Sequence, residues 1–294
     1  INQRPFVVDI NEDGLSDFIL SDFEQSYIFI QQKNGQFSAP KSLSIQADVS
    51  ANKDFVTFSS PKYFTYDHDR NGLKDVVFKV DDELHVFLAN ENGFSSTASV
   101  QKIVLDTPLV TRKRDRQQNQ KGLITNAFYK LVDLNKDQVP DLITQLTRSE
   151  GLLDKSSEYH VHFGHYKQSG NGATHVDFPS QPDSIVSSEG IQFELSIVDY
   201  DSDDQLDLIS PSFELGVGSI IASLFSSSAD LDVTFHSLGK DNRYSSKPDY
   251  EKELTVDFDL GSGQQVYPLF KVSDFDGDGR NDLLLGHESK KLYI

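Results

Sequence analysis

Asp274-Phe275-Asp276-Gly277-Asp278-Gly279-Arg280-Asn281-Asp282 sets carboxylates at positions 1, 3, 5 and 9 of a nine-residue stretch, with glycines at positions 4 and 6. Apolar runs flank it, Leu269-Phe270-Lys271-Val272 before and Leu283-Leu284-Leu285 after. Short apolar runs bounded by Asp, Asn and Gly read as buried strands joined by a tight loop rather than as helices. The plan recurs in Asp9 to Asp17, Asp67 to Asp75, Asp133 to Asp141 and Asp199 to Asp207, the five starts lying 58, 66, 66 and 75 residues apart. Each copy again has an apolar run on either side, for example Tyr63-Phe64-Thr65-Tyr66 and Val76-Val77-Phe78 around the second. A fixed self-similarity of this kind is the mark of a repeat architecture.

Between successive loops there is room for two more strands. In the first repeat these are Ser26 to Gln31 and Phe37 to Ile45, joined by Lys33-Asn34-Gly35-Gln36, whose Asn-Gly is a hairpin signal. The second repeat has Leu84 to Leu88 and Phe94 to Leu105 around Asn90-Glu91-Asn92-Gly93. Four strands per repeat, in tandem, is the blade of a β-propeller, so the expected fold is an all-β propeller of four-stranded blades. The approximate repeats are 1–58, 59–124, 125–190, 191–265 and an incomplete 266–294, within one domain. The chain begins without Met close to one strand and ends in another, and the expectation is a processed protein or a fragment.

The spacing has a chemical reading. Positions 1, 3, 5 and 9 are Asp or Asn in every copy. Calcium takes roughly six to eight oxygen ligands at about 2.3–2.6 Å, and alternate residues of a tightly wound loop can all turn oxygens inward, with a main-chain carbonyl added at position 7. The side-chain candidates are Asp9, Asn11, Asp13 and Asp17; Asp67, Asp69, Asn71 and Asp75; Asp133, Asn135, Asp137 and Asp141; Asp199, Asp201, Asp203 and Asp207; and Asp274, Asp276, Asp278 and Asp282. The carbonyl candidates are Leu15, Leu73, Val139, Gln205 and Arg280, so up to five Ca2+ ions are expected. Crowded carboxylates repel one another, and a divalent cation removes that penalty. The EF-hand also begins D-x-[DN]-x-[DN]-G but closes with Glu at position 12. Here position 12 is Leu20, Phe78, Thr144, Ser210 or Leu285, which excludes it.

The copies are unequal. Gly14, Gly72 and Gly279 occupy position 6, where a positive φ is expected, whereas Gln138 and Asp204 stand there in the third and fourth loops. The third loop, which also holds Lys136 and Pro140, reads as the weakest site and the fifth as the strongest.

These loops resemble the FG-GAP or VCBS repeat, whose pattern runs D-x-[DN]-x-D-G-x-x-D, and the resemblance covers nearly the whole chain. It implies a seven-bladed propeller of the integrin α-chain type, of which five calcium-loop blades are visible, with the loop joining the first two strands of each blade. It further implies an exported protein, extracellular or periplasmic and bacterial.

Composition narrows the function classes. With 37% hydrophobic residues, 21 Phe and 11 Tyr the chain can bury a sizeable core, unlike a disordered one. A net charge of −19 argues against nucleic-acid binding, which needs clustered positive charge, and favours cations. The absence of Cys excludes disulfides, thiolate metal sites and a Cys nucleophile, and no apolar run is long enough to span a membrane.

Smaller features are read against plain alternatives. Gly218 and Ser219 start an expected short helix within the insertion Phe213 to Asp232, carrying Ile220, Ile221, Leu224 and Phe225 on one face and packing on its own rim. His160 and His162 share one strand face, near His165; two imidazoles there can hold a transition metal, but an exposed polar face is the preferred reading. Arg112, Lys113, Arg114 and Arg116 read as a solvated loop. No G-x-S-x-G elbow, H-E-x-x-H helix or phosphate-binding glycine loop is present. The leading expectation is a calcium-binding adhesion or ligand-binding module that engages a protein or glycan on one propeller face. An extracellular hydrolase or lyase on a polysaccharide or phosphoester, and a structural spacer in a larger surface protein, are the alternatives.

Overall fold

The computed structural model describes residues 7–51, 56–59, 61–110, 122–149, 155–188, 191–192, 194–213, 228–257, 270–287 and 291–293. The chain divides into two units. The first comprises Ile1–Arg112, Gln138–Pro140 and Gly164–Phe178, and the second Lys113–Asp137, Asp141–Phe163 and Pro179–Ile294.

In the first unit, β1 (Val7–Val8), β2 (Asp17–Ser21), β3 (Ser26–Phe29) and β4 (Lys41–Leu43) form an antiparallel sheet in chain order. β5 (Asp48–Ala51) and β6 (Val56–Ser59) make a separate hairpin. The second sheet runs β7 (Tyr63–Tyr66), β8 (Asp75–Val80), β9 (Glu83–Phe87) and, after the small hairpin β10 (Ala89–Asn90) and β11 (Gly93–Phe94), β12 (Ser99–Lys102). Ile19, Ile28 and Leu43 of the first sheet and Val76, Phe78 and Phe87 of the second are buried in one cluster. In β3 buried Ser26 and Ile28 alternate with half-buried Tyr27 and Phe29, as the two-residue period of a strand requires, whereas β8 is buried at four consecutive positions from Asp75 to Phe78. Each fully buried Ile or Phe contributes about 1.5–3 kcal/mol relative to an exposed one.

In the second unit the third sheet consists of β13 (Leu123–Val132), β14 (Asp141–Ser149), β15 (Lys155–His162) and, past an inserted hairpin of β16 (His165–Gln168) and β17 (Thr174–Asp177), β18 (Ser184–Ser188). That hairpin itself belongs to the first unit. The fourth sheet has β19 (Ile191–Gln192) and β20 (Ser196–Val198), which both pair with β21 (Asp207–Phe213), followed by β22 (Ser228–His236) and β23 (Tyr250–Asp257). β24 (Phe270–Ser273), β25 (Asp282–His287) and β26 (Lys291–Tyr293) form a three-stranded fifth sheet. Leu134, Ile143, Tyr159, Val161, Val186 and Leu208 pack into one buried cluster of this unit, and Ile209, Leu231, Val233 and Phe235 into another.

The fold is therefore all-β, built from antiparallel sheets of the propeller-blade type, three of them four-stranded and one five-stranded among the described residues. No described residue is helical. The insertion expected to carry a short helix is strand at both described ends, since Phe213 closes β21 and Ser228 to Asp232 open β22; residues 214–227 lie outside the described residues. The basic run at Arg112 to Arg116 also lies outside them. His160 and His162 are 9% and 1% exposed, which corrects the reading of an exposed polar strand face. β15 is an interior strand between β14 and β18, so neighbours on both sides flank His160, and beyond the end of β18 the turn that carries Pro179 covers His162.

Candidate metal centres

Every loop joins two strands that pair with each other, β1–β2, β7–β8, β13–β14, β20–β21 and β24–β25, and the closing aspartate is the first residue of the second: Asp17, Asp75, Asp141, Asp207 and Asp282 begin β2, β8, β14, β21 and β25. Oδ2 of each closing aspartate accepts the main-chain N–H of the loop's second residue, Ile10, His68, Leu134, Tyr200 or Phe275, at 2.8–2.9 Å. Oδ1 of Asp17, Asp75 and Asp207 reaches across the sheet to the N–H of Gln31, Ala89 and Leu238, at 2.8, 2.6 and 3.3 Å. The closing aspartate is thus a clamp that ties loop and strands together. A carboxylate oxygen carries two lone pairs, so the clamp leaves capacity to face an ion.

Within the loop a ladder of main-chain N–H groups orients the remaining oxygens. In the first, second and fourth loops the first aspartate accepts the N–H of positions 5 and 6, as in Asp67 with Asn71 and Gly72 at 3.0 and 2.8 Å, whereas Asp274 of the fifth accepts those of positions 4 and 6, Gly277 and Gly279, at 2.7 and 3.0 Å. In the fourth loop Asp199 does the same with Asp203 and Asp204, both at 3.1 Å. Position 3 accepts the N–H of position 5, and position 5 that of position 7, as in Asp276 with Asp278 at 3.0 Å and Asp278 with Arg280 at 2.8 Å. This winding requires positive φ twice. Position 6 has φ of 83, 87, 71, 71 and 87° at Gly14, Gly72, Gln138, Asp204 and Gly279. Position 4 has 56, 63, 56, 64 and 80° at Glu12, Arg70, Lys136, Ser202 and Gly277. The third and fourth loops therefore wind like the others in spite of their side chains, at a cost of about 1 kcal/mol for each non-glycine so held.

The result is three clusters of converging oxygens. Asp67, Asp69 and Asp75, then Asp199, Asp201 and Asp203, then Asp274, Asp276 and Asp282 each bring one carboxylate oxygen per residue within 4.8 Å of one another. Two ligands on opposite sides of an ion with bonds of about 2.4 Å stand about 4.8 Å apart, so three oxygens no farther apart than that are close enough to share one hard divalent cation. In the first and third loops position 3 is an amide, and Asn11 and Asn135 instead donate to Asp13 and Asp137 Oδ2, both at 3.1 Å.

The electrostatics agree with the crowding. Burial pushes the Asp75 carboxyl up to about 6; the N–H groups of Ala89 and His68 oppose that shift, and the charges of Asp69 and Asp67 add to it. Burial likewise raises Asp69, Asp201 and Asp207, with neighbouring aspartates contributing at each. A cation would relieve both causes.

In the first unit a cavity of about 280 Å³ opens between the first two loops, lined by Asn11, Glu12, Leu73, Lys74, Asn90 and Phe94 among others. Lys74 and Glu12 pair across it at 2.7 Å.

The acidic spacing marks the loops but not the double clamp, whose second partner lies 14 residues away in the first two loops. Nor does it mark position 4, where Glu, Arg, Lys, Ser and Gly share one backbone conformation without sharing any chemistry. Compared with known proteins, the chain matches no family model and no curated protein.

Proposed function

We propose that this chain is a calcium-stabilised module of the FG-GAP or VCBS propeller type, exported from the cell, in which the loops hold Ca2+ and the loop surface binds a protein or glycan ligand. The observation that carries the reading is the convergence of three carboxylate oxygens in each of three loops that share one register and one backbone winding. Oxygen-only donor sets without His or Cys favour Ca2+ over zinc or copper. The cavity between the first two loops, with amide, charged and aromatic groups at its walls, supports the ligand-binding part. The reading does not depend on a seven-bladed ring. Metal analysis after dialysis, together with thermal melting in calcium and in EDTA, tests the first part; bound calcium and a higher midpoint in calcium are expected, because a ligand of the folded state stabilises it by mass action. Equal melting and no retained metal would overturn it. Glycan-array and protein-capture binding, weakened by Lys74→Ala and Asn90→Ala, tests the second part.

A further inference from the structure

The third and fourth sheets carry a second repeated feature, separate from the loops. On the third strand of each complete sheet, the residue paired with the one following the closing aspartate is Phe29, Phe87, His162 and His236 in turn. The turn leading to the fourth strand changes in step. The residue just before the partner of Ile28, Val86, Val161 and Phe235 is Pro40, Ala98, Asp183 and Asp249. Histidine and aspartate occur together in the third and fourth sheets, and neither occurs at these positions in the first two.

The geometry of the two pairs is the same. His162 and His236 are 1% and 0% exposed. Their Nδ1 atoms lie 2.8 and 2.9 Å from the main-chain carbonyls of Pro179 and Ser245. A carbonyl only accepts, so Nδ1 bears the proton in both rings and the neutral Nε2 is a bare acceptor. Neither Nε2 has a hydrogen-bond partner. Asp183 and Asp249 close the junction: each Oδ2 accepts the N–H of the residue after the histidine, Phe163 or Ser237, at 2.8 Å. Each aspartate's own N–H returns to the residue before it, Val161 or Phe235, at 2.8 Å.

We propose that His162 and His236 form a paired acid-sensitive latch, in which protonation of the unpartnered Nε2 atoms releases the third-strand ends and the turns at residues 179–183 and 245–249. A proton at Nε2 places a charged N–H in a buried site where no acceptor lies within hydrogen-bond distance of that atom, and a buried charge without a partner is strongly disfavoured. The groups facing His162 are His160 on its own strand, itself 3.0 Å from Glu158, and Asp183 and the Gln181 carbonyl in the turn. Asp141 precedes its register partner on β14, with one oxygen already on the Leu134 N–H. His236 faces Asp249 in the turn; Tyr250 begins the adjoining β23, and on β21 Asp207 has both oxygens on main-chain N–H groups. Burial outweighs the carbonyls and aspartates and holds both rings below the usual imidazole range. With folded values below the unfolded one, the stability contributed by the neutral rings is full above about 6.5 and is lost as pH falls below it.

The test uses the full chain and the double variant His162→Phe/His236→Phe, phenylalanine being the residue the first two sheets hold in that place. Melting midpoints at pH 7.5 and 5.5 are compared, once in saturating calcium and once in EDTA. The parent is expected to fall by about 3 °C or more beyond the double variant in both media. The buried His68 of the second loop, present in both proteins, cancels from the comparison. Hydrogen exchange should place the acid loss at the junction amides of Phe163, Asp183, Ser237 and Asp249. Imidazole 15N spectra of the parent should show the Nδ1–H tautomer and titration below about 6.5 for both rings. Equal falls in the two proteins would overturn the latch. Titration of both rings at or above the ordinary value would do so as well, and that measurement needs no variant to fold.

Discussion

The hydroxyl of Tyr166 donates a 2.8 Å hydrogen bond to the main-chain carbonyl of Asp67, the first residue of the second loop. Tyr166 lies on β16, in the hairpin that follows β15 in the chain. The Arg70 guanidinium, at position 4 of the loop, sits 5.3 Å from the centre of the same ring. A third tie runs from Gln101 Nε2 on β12 to the Val176 carbonyl on β17, at 2.7 Å. The hairpin therefore staples a candidate metal loop through the main chain of its first position and the side chain of its fourth.

If the staple holds the loop wound, loosening it should weaken metal binding as well as stability. Tyr166→Phe removes one neutral hydrogen bond, about 1 kcal/mol, and Arg70→Ala a cation–π contact of about 0.5–1 kcal/mol. Both variants are expected to lower the melting midpoint by a few degrees and to reduce the midpoint gain from calcium. An unchanged gain in Tyr166→Phe would show that the second loop keeps its winding without the hairpin.

Clamp and ligand can be separated within this loop. Asp75 spends both oxygens on buried N–H groups, so Asp75→Asn turns an amide NH2 toward one of those donors and is expected to cost about 1–3 kcal/mol even without metal. Asp69 Oδ1 accepts the Asn71 N–H at 3.1 Å, a bond an amide oxygen retains. Asp69→Asn should change metal-free stability by less than about 0.5 kcal/mol while removing a charge from the cluster and much of the calcium-dependent gain. Urea unfolding with and without calcium measures both numbers. Equal metal-free losses in the two variants would contradict the division of labour.

What the sequence made legible was whatever local spacing determines. The loops begin and end where the acidic pattern places them, because a tightly wound backbone with alternate oxygens is a nine-residue matter. The fourth strands were read too early. Phe37 to Ile45 and Phe94 to Leu105 were expected, whereas β4 and β12 begin only at Lys41 and Ser99. The Asn-Gly turns do form, with Gly35 and Gly93 at positive φ, but they close small local pairings, Gln31 with Phe37 and Asn90 with Gly93, before the sheet strand starts. The burial of His162 depends on β14 on one side and on the turn at residues 179–183, beyond an inserted hairpin, on the other, and no local pattern contains that information.

Winding strain gives a further prediction. Asp204 holds φ of 71°, with its N–H on Asp199 Oδ2 at 3.1 Å, and its side chain is 97% exposed in a 3.4 Å pair with Lys136. Exposed pairs of this kind contribute little. Asp204→Gly keeps the main-chain bond and relieves the backbone, so a gain of about 0.5 kcal/mol is expected in urea unfolding. The converse, Gly72→Val at φ of 87°, should cost more than about 1 kcal/mol, although a Cβ there meets no atom within 4 Å, because the penalty lies in the backbone and not in a clash.

The last prediction concerns protons competing with the metal. The Asp75 carboxyl, held at about 6 in the folded chain by burial, lies above its ordinary value. For an acid raised in this way the metal-free folded state is favoured at low pH, and that stability is lost as pH rises from about 4 through about 6. A bound cation reverses the preference, since it needs the ionised form. The melting gain from calcium should therefore be largest at pH 7 and shrink markedly by pH 5, and Asp75→Asn should flatten part of this dependence. Measuring the gain as a difference at each pH removes contributions common to both forms, including those of the buried histidines. A gain independent of pH between 5 and 7 would mean that Asp75 does not face the ion and serves the second loop only as its clamp.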